Sequence, residues 1–188
     1  MKVGVLALQG DFREHIAASI ACGHDAFALR RPEELTDIDA LIFPGGESTT
    51  IALLATTYQL MQPIRKHISE GLPVYGSCAG MILLADRIMD GAQGQQTFGG
   101  IDMTVRRNAF GRQVESFEDE IDFAGMKVNG VFIRAPWVEE VGSSVEVLAS
   151  ESGHPVAVRQ GHLFATSFHP EITGDLRVHQ YFFDEICR

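Results

Sequence analysis

Residues 73–85 of the chain are Pro73-Val74-Tyr75-Gly76-Ser77-Cys78-Ala79-Gly80-Met81-Ile82-Leu83-Leu84-Ala85. The first five predict a short buried strand and the last seven predict the first turns of a helix, so Cys78 falls at the junction. Glycines two positions before and after Cys78 indicate a nucleophile elbow, a strained turn that exposes one side chain above a sheet. Because a thiol at a helix N-terminus ionises readily, Cys78 is a candidate nucleophile. The alternative is a small buried hydrophobic residue.

Length and composition are those of an ordinary globular protein. The 188 residues are 45% hydrophobic and 21% charged, which predicts a single domain, residues 1–188, with a full core. A net charge of −10 argues against a nucleic-acid partner. No basic leader precedes the first apolar segment, and no apolar run approaches the about 18 residues of a membrane span. We therefore expect a cytoplasmic protein that does not contact a membrane.

The cysteines give no sign of a cross-link or of a metal. Cys22, Cys78 and Cys187 show neither paired spacing nor the spacing of metal ligands. The sequence therefore predicts no disulfide framework and no metal site. Cys22 and Cys187 fall on apolar helical patterns and are expected to be packing residues.

Strand and helix patterns alternate up to the elbow and become β-rich after residue 100. Predicted strands before and at the elbow are 2–8, 26–29, 40–43 and 73–77, and predicted helices are 12–22, 48–55 and 60–70. The first helix should bury Phe12, Ile16, Ala17, Ile20 and Ala21. After a surface loop at 90–100, β-rich segments follow at 101–106, 112–121, 127–134, 144–149, 155–160 and 163–168, before a closing helix over about 175–187. This order predicts an α/β fold of three layers, a mostly parallel sheet flanked by helices with an antiparallel β extension.

A second informative loop follows the strand at 40–43, with the sequence Pro44-Gly45-Gly46-Glu47-Ser48-Thr49-Thr50. Two adjacent glycines allow successive backbone N–H groups to converge on one point ahead of a helix, a geometry that binds anions. The loop lacks the Gly-Lys-Ser/Thr ending of a phosphate loop, and Glu47 would repel a phosphate. An oxyanion hole beside Cys78 fits better. A plain helix-capping turn with Ser48 as the N-cap remains the alternative.

His169 is the strongest candidate for a general base. It follows the apolar strand at 163–168 and opens His169-Pro170-Glu171. In an extended segment, positions i and i+2 project to the same side, so the Glu171 carboxylate can accept a hydrogen bond from the His169 ring. The other ring nitrogen is then available to Cys78, which is the logic of a catalytic triad. His15 and His67 lie on predicted helix surfaces and have weaker claims.

Taken together, these motifs resemble those of the class I (triad) glutamine amidotransferases, whose fold is flavodoxin-like. Within that class the chain resembles the glutaminase subunits of pyridoxal 5′-phosphate synthase. The supporting strings are Leu8-Gln9-Gly10-Asp11, Gly45-Gly46-Glu47-Ser48-Thr49-Thr50, Arg107-Asn108-Ala109-Phe110-Gly111-Arg112-Gln113 with Ser116-Phe117-Glu118, Phe132-Ile133-Arg134-Ala135-Pro136 and Ser167-Phe168-His169-Pro170-Glu171.

The resemblance implies hydrolysis of L-glutamine through a thioester on Cys78, with His169 and Glu171 completing the triad. It implies an oxyanion hole at Gly46 and Ala79, and glutamine contacts from Gly46, Glu47, Ser48, Arg107, Ile133 and Arg134. It implies no cofactor. Its implied partner is the synthase (lyase) subunit, in a large hetero-oligomer with the glutaminase outside a synthase ring. The resemblance also implies that the chain alone is nearly inactive until the synthase subunit binds. Gln9 and Gly10 would be the residues that respond to this binding.

Two other classes of protein share parts of this pattern. A cysteine hydrolase or peptidase of similar α/β architecture would have the elbow but would not need the two arginine strings. A non-catalytic binding module would tolerate an unreactive Cys78, whose thiol would then label no faster than a free model thiol.

Overall fold

The computed structural model describes residues 1–110 and 116–188. Its strands are β1 Lys2–Leu6, β2 Asp25–Leu29, β3 Ala40–Phe43, β4 Val74–Ser77, β5 Ala85–Met89, β6 Ile101–Arg106, β7 Phe117–Phe123, β8 Met126–Phe132, β9 Trp137–Val141, β10 Glu146–Glu151, β11 His154–Gln160 and β12 Leu163–Thr166. Its helices are α1 Phe12–Ala21, α2 Ser48–Thr57, α3 Met61–Ser69, α4 Ala79–Leu84 and α5 Arg177–Tyr181, which continues as a π-helical turn, Phe182–Ile186. Short 3-10 turns occupy Pro32–Leu35 and Pro170–Ile172.

Within the described residues, seven strands form the main sheet in the order β10-β11-β12-β4-β3-β1-β2. The five strands from β12 to β2 are parallel, β11 pairs antiparallel to β12, and β10 pairs antiparallel to β11 at the edge of the sheet. The predicted parallel sheet with an antiparallel extension is confirmed. Smaller sheets, β5-β6-β9 and the hairpin β7-β8, pack outside it.

The apolar strands of the main sheet are buried on both faces, which explains why they read as continuous hydrophobic runs. Along β3, Leu41 and Phe43 join the core with α2, α3, α4 and β6. Ala40 and Ile42 point the other way, into the core with the β7-β8 hairpin, α5 and the π-helical turn. The three predicted layers are therefore present, with one hydrophobic core on each side of the sheet.

Strand register brings the carboxyl ends of β3, β4 and β12 to one edge. Ser77 of β4 pairs with Thr166 of β12, and Gly76 pairs with Phe43 of β3. The loops that leave these strands begin with Pro44, Cys78 and Ser167, so they start side by side. Ligands of open parallel sheets bind outside the carboxyl ends of the strands, and this edge is where a site is expected.

The buried face of α1 differs from the sequence-based prediction. The helix buries His15, Ala18 and Ser19, while Ile20 is 56% exposed. His15 was predicted to lie on the helix surface, and that prediction is wrong. The reason is that polar groups of the sheet and of the closing helix meet this face of α1, so hydrogen bonding rather than apolar periodicity sets its rotation.

Element boundaries otherwise follow the predictions closely, except in the second half of the chain. Strands β5 and β9 were not predicted. The strand predicted at 112–121 is found at Phe117–Phe123, and its first residues lie outside the described part of the chain. No helix among residues 1–110 and 116–188 is both long and apolar enough to cross a membrane.

The close approach of β4 and α4 generates a prediction for Gly76→Ala. A Cβ at Gly76 would lie 2.5 Å from the Gly80 carbonyl carbon and oxygen, and backbone atoms cannot rotate away. We expect the free energy of unfolding to fall by about 3 kcal/mol. Gly94→Ala is the control, because its Cβ would meet open space and only its positive φ opposes alanine, at about 1 kcal/mol. Denaturant titration measures both, and equal losses would contradict the steric explanation.

Candidate active site

Cys78 occupies a strained turn between β4 and α4. Its φ is 48° and its ψ is −100°, a conformation that non-glycine residues rarely adopt outside functional sites. Its backbone N–H donates to the Thr166 carbonyl at 2.8 Å, which fixes the turn against β12. Gly80 is required two residues later, since a Cβ there would lie 2.4 Å from the Phe43 carbonyl oxygen. The geometry is that of a nucleophile elbow.

His169 and Glu171 form a buried hydrogen-bonded pair just after β12. The His169 Nδ1 lies 2.7 Å from Glu171 Oε1, and the two residues are 4% and 8% exposed. The His169 backbone N–H donates to the Val131 carbonyl at 2.9 Å, which anchors the segment to β8. Proline and glutamate form a 3-10 turn rather than the extended segment predicted from sequence, and this turn folds the carboxylate back onto the ring.

Electrostatics of the pair favour a charged imidazolium and a charged carboxylate. Burial alone would lower the pKa of His169, but the adjoining Cys78 sulfur and the Glu171 carboxylate outweigh it and raise the pKa to about 11. Burial alone would raise the pKa of Glu171, but the His15 ring nitrogen that faces Glu171 Oε2 and the hydrogen-bonded His169 lower the pKa to about 2. At neutral pH, His169 therefore holds a proton beside the Cys78 sulfur.

The glycine loop is held between the end of β1 and the His169 ring. A Cβ at Gly45 would lie 2.4 Å from His169 Cε1, so only glycine fits against the ring. The Gln9 side-chain oxygen accepts from the Glu47 backbone N–H at 2.7 Å. Ser48 is not the N-cap of α2. That position is taken by Glu47, whose carboxylate accepts from the backbone N–H of Thr49.

Cys78 and the predicted binding residues come together around one pocket. Beside Cys78 it is lined by Gly46, Glu47, Ser48, Ala79, Ile82, Arg107, Asn108, Ile133 and Arg134. Ile82 and Asn108 were not predicted. Ile82 could have been found because it lies one helical turn after Cys78, and Asn108 because it follows Arg107. Arg112 and Gln113 of the first arginine string lie outside the described residues.

The two arginines differ in their surroundings. Arg107 is 13% exposed in its side chain and donates to Glu47 Oε1 at 2.8 Å. No acceptor in the described part of the chain lies within hydrogen-bond reach of its Nε. Arg134 is exposed and has a φ of 45°. The pocket therefore presents a partly paired guanidinium, a carboxylate and a strained arginine near the Cys78 sulfur.

One group of side chains has the spacing of a metal site. Donor atoms of Asp11, His169 and Glu171 lie within 4.8 Å of one another. The His169 Nδ1 already shares a hydrogen bond with Glu171, and Asp11 Oδ2 lies 3.8 Å from the same nitrogen. A cation would have to displace the proton of that hydrogen bond, so the trio fits an oriented imidazolium better than a metal centre.

Sequence reasoning missed two buried histidines next to this pair. His15 and His179 are each 0% exposed, and their rings are 3.0 Å apart between Nδ1 and Nε2. The His15 Nε2 lies 3.5 Å from Glu171 Oε2. No local pattern marks either histidine, because their contacts join residues 164 positions apart.

The fold is that of the class I glutamine amidotransferases. A crystal structure described as a glutamine amidotransferase matches with a TM-score of 0.91 and 50% identity, covering 97% of each chain. A putative GMP synthase component from Thermoplasma acidophilum matches over 100% of this chain and 94% of its own, with a TM-score of 0.70. Its identity is only 16%, so this second likeness shows the fold alone.

Comparison of sequences identifies the family within this class. The profile of the SNO glutamine amidotransferase family matches residues 5–188, and the chain belongs to this family. A relative from Streptomyces coelicolor, pyridoxal 5′-phosphate synthase subunit PdxT, is 60% identical over 98% of this chain and 93% of its own length. The protein of the same name from Mycobacteroides abscessus is 61% identical over 98% of this chain and 96% of its own.

Selective alkylation of Cys78 is a consequence of its surroundings. Burial raises the pKa of the Cys22 thiol and raises that of Cys187 to about 12, so both are protonated at neutral pH. Cys78 lines the pocket beside the positively charged His169 ring, a setting in which a cysteine is reactive. We expect iodoacetamide at pH 7 to modify Cys78 first and His169→Asn to slow that reaction, both measured by peptide mass spectrometry. Equal labelling of the three cysteines would contradict this.

Proposed function

We propose that the chain is the glutaminase subunit of a pyridoxal 5′-phosphate synthase. It hydrolyses L-glutamine to L-glutamate and ammonia, and a separate synthase subunit uses the ammonia to build the cofactor from ribose 5-phosphate and glyceraldehyde 3-phosphate. The observation that carries the proposal is the elbow cysteine facing a pocket that holds both a guanidinium and a carboxylate. The two relatives of about 60% identity, both named subunits of that synthase, support the same assignment.

The pocket has the charges that a free amino acid requires. Glutamine carries an α-carboxylate and an α-ammonium group, and a guanidinium and a carboxylate complement them. In our proposal Arg107 and Arg134 receive the α-carboxylate, and Glu47 receives the ammonium group. Binding would supply Arg107 Nε with an acceptor that the described residues do not provide. Ser48 and the Ile133 backbone complete the contacts.

The proposed reaction has two steps. The Cys78 thiolate attacks the side-chain amide carbon, and a C–S bond forms while the carbonyl becomes an oxyanion. Backbone N–H groups of Gly46 and Ala79 stabilise that oxyanion. His169 donates its proton to the amide nitrogen, the C–N bond breaks and ammonia leaves. A water molecule then gives a proton to His169 and attacks the thioester, which releases glutamate and restores the thiolate.

Docking of the synthase subunit is proposed to activate this site. The glycine loop is held in place by the Gln9 side chain, which occupies the Glu47 N–H. A partner that moves Gln9 and Gly10 would alter the direction in which the loop's backbone N–H groups point. We propose a large hetero-oligomer with the glutaminase outside a ring of synthase subunits.

Substitution of the nucleophile tests the assignment. With the synthase subunit present, Cys78→Ala should abolish ammonia release from glutamine, because the thioester cannot form. Cys22→Ala is the matched control and should retain activity, since Cys22 follows α1 and lies away from the pocket. Normal turnover by Cys78→Ala would refute the proposal. Hydrolysis of a peptide substrate by the wild-type protein, without hydrolysis of glutamine, would favour the cysteine peptidase alternative.

Removing the half-buried guanidinium of Arg107 tests the substrate assignment. Arg107→Met should raise the KM for glutamine about ten- to hundredfold, the typical effect of losing a charge-assisted hydrogen bond. Arg87→Met removes a comparable ion pair, with Asp102 at 2.8 Å, outside the pocket and should leave the KM unchanged. Steady-state kinetics in the assembled complex measure both values. An unchanged KM in Arg107→Met would exclude this residue from substrate binding.

A further inference from the structure

A buried polar cluster lies behind the candidate triad, and the proposed reaction does not use it. We define it as His15 of α1, His179 of α5 and Ser77 of β4, all three 0% exposed. The His15 Nδ1 lies 3.0 Å from His179 Nε2, and the His15 Nε2 lies 3.0 Å from Ser77 Oγ. Polar side chains are seldom fully buried, so the burial of these three requires an explanation.

The cluster contacts the triad at one atom. Glu171 uses Oε1 to accept from His169, whereas Oε2 is buried and, in residues 1–110 and 116–188, has no hydrogen-bond donor in good geometry. The His15 Nε2 lies 3.5 Å from this Oε2. A carboxylate that is hydrogen-bonded through only one of its oxygens can rotate about its terminal C–C bond. The His169 ring, which is hydrogen-bonded to that oxygen, would rotate with it.

The hydrogen-bond partners of the two histidines determine which ring nitrogen of His15 carries the proton. Burial lowers the pKa of both histidines, that of His179 to about 3, so both rings are neutral. If His179 Nε2–H donates to His15 Nδ1, the His15 proton lies on Nε2 and points at Ser77 and Glu171. In the opposite arrangement, a lone pair on His15 Nε2 would face a carboxylate. That arrangement would also leave the buried His179 Nδ1–H without an acceptor among the described residues.

We propose that His15 is a positioning residue for the catalytic triad. Its Nε2–H, oriented by His179, faces Glu171 Oε2 and the hydroxyl of Ser77, the residue that precedes the nucleophile. One imidazole thereby connects the carboxylate end of the triad to the elbow. Its effect on the reaction passes through Glu171 and His169, and it does not touch the substrate. This inference rests on the proposed glutaminase function.

Charged groups from several elements face the cluster, and their titration affects the pH profile of activity. Besides Glu171, the charges that act on the His15 ring are those of His169 after β12, Asp11 just before α1, and Glu14 of α1. Of these, Glu171 is the acid in contact with His15 Nε2. Loss of the Nε2–H should raise the pKa of Glu171, and the acidic limb of the activity profile should move to higher pH.

Two amides distinguish positioning from simple packing. Glutamine at position 15 places an amide N–H near the site of Nε2, whereas asparagine is shorter and reaches only the position of Nδ1. With L-glutamine and the synthase subunit present, His15→Asn should lower kcat about tenfold or more with little change in KM. His15→Gln should recover most of kcat. His162→Leu is the control, since it removes a histidine contact to the Ile68 carbonyl at 2.9 Å, far from the triad.

Circular dichroism first confirms that each variant folds, and the kinetic results then distinguish a positioning role of His15 from a packing role. A lower kcat and a displaced acidic limb in His15→Asn, both reversed in His15→Gln, support the proposal. Wild-type kcat in folded His15→Asn, equal impairment of both amides, or an equal loss in His162→Leu overturns it. The pH dependence of Cys78 alkylation by iodoacetamide provides a readout without glutamine. If wild-type protein fails to hydrolyse glutamine, that readout still tests His15 while the proposed function fails.

Discussion

The parallel register of β3, β4 and β12 is the constraint from which the site follows. Ser77 pairs with Thr166 and Gly76 with Phe43, so three strands end at the same edge and three loops begin there together. The glycine loop, the elbow and the His-Pro-Glu segment contribute one part of the site each. The hydrophobic cores on both faces of the sheet hold this register, and the pocket therefore depends on packing far from the reacting atoms.

Close backbone packing and buried charge act together at this edge. Gly45 fits against the His169 ring and Gly80 against the Phe43 carbonyl, in places where a Cβ would collide. The His169–Glu171 pair is buried, which strengthens its interaction and opposes its ionisation at once. The resulting pKa of about 11 for His169 and about 2 for Glu171 means that the charged forms prevail. A buried ion pair beside a thiol is suited to nucleophilic chemistry at neutral pH.

Local sequence patterns predicted the separate loops of the site, whereas contacts between residues distant in sequence determined features such as the buried face of α1. The turn at Cys78 and the double glycine were readable because small residues at fixed spacing serve a local backbone geometry. His15 was not readable, because apolar periodicity placed Ile20 rather than His15 on the buried face of α1. The partners that reverse this choice, Ser77 and His179, come from β4 and the closing helix. The glutamine contacts came from the resemblance to a family, and their roles stay predictions.

The proposed reaction requires a covalent bond between Cys78 and the substrate. Rapid quenching of the wild-type complex in acid during turnover of L-glutamine, followed by mass spectrometry of the Cys78 peptide, tests this directly. We expect a γ-glutamyl thioester on Cys78 that forms before glutamate is released and disappears when glutamine is exhausted. Glutamate production without a transient adduct on this peptide, or with the adduct on another residue, would contradict it.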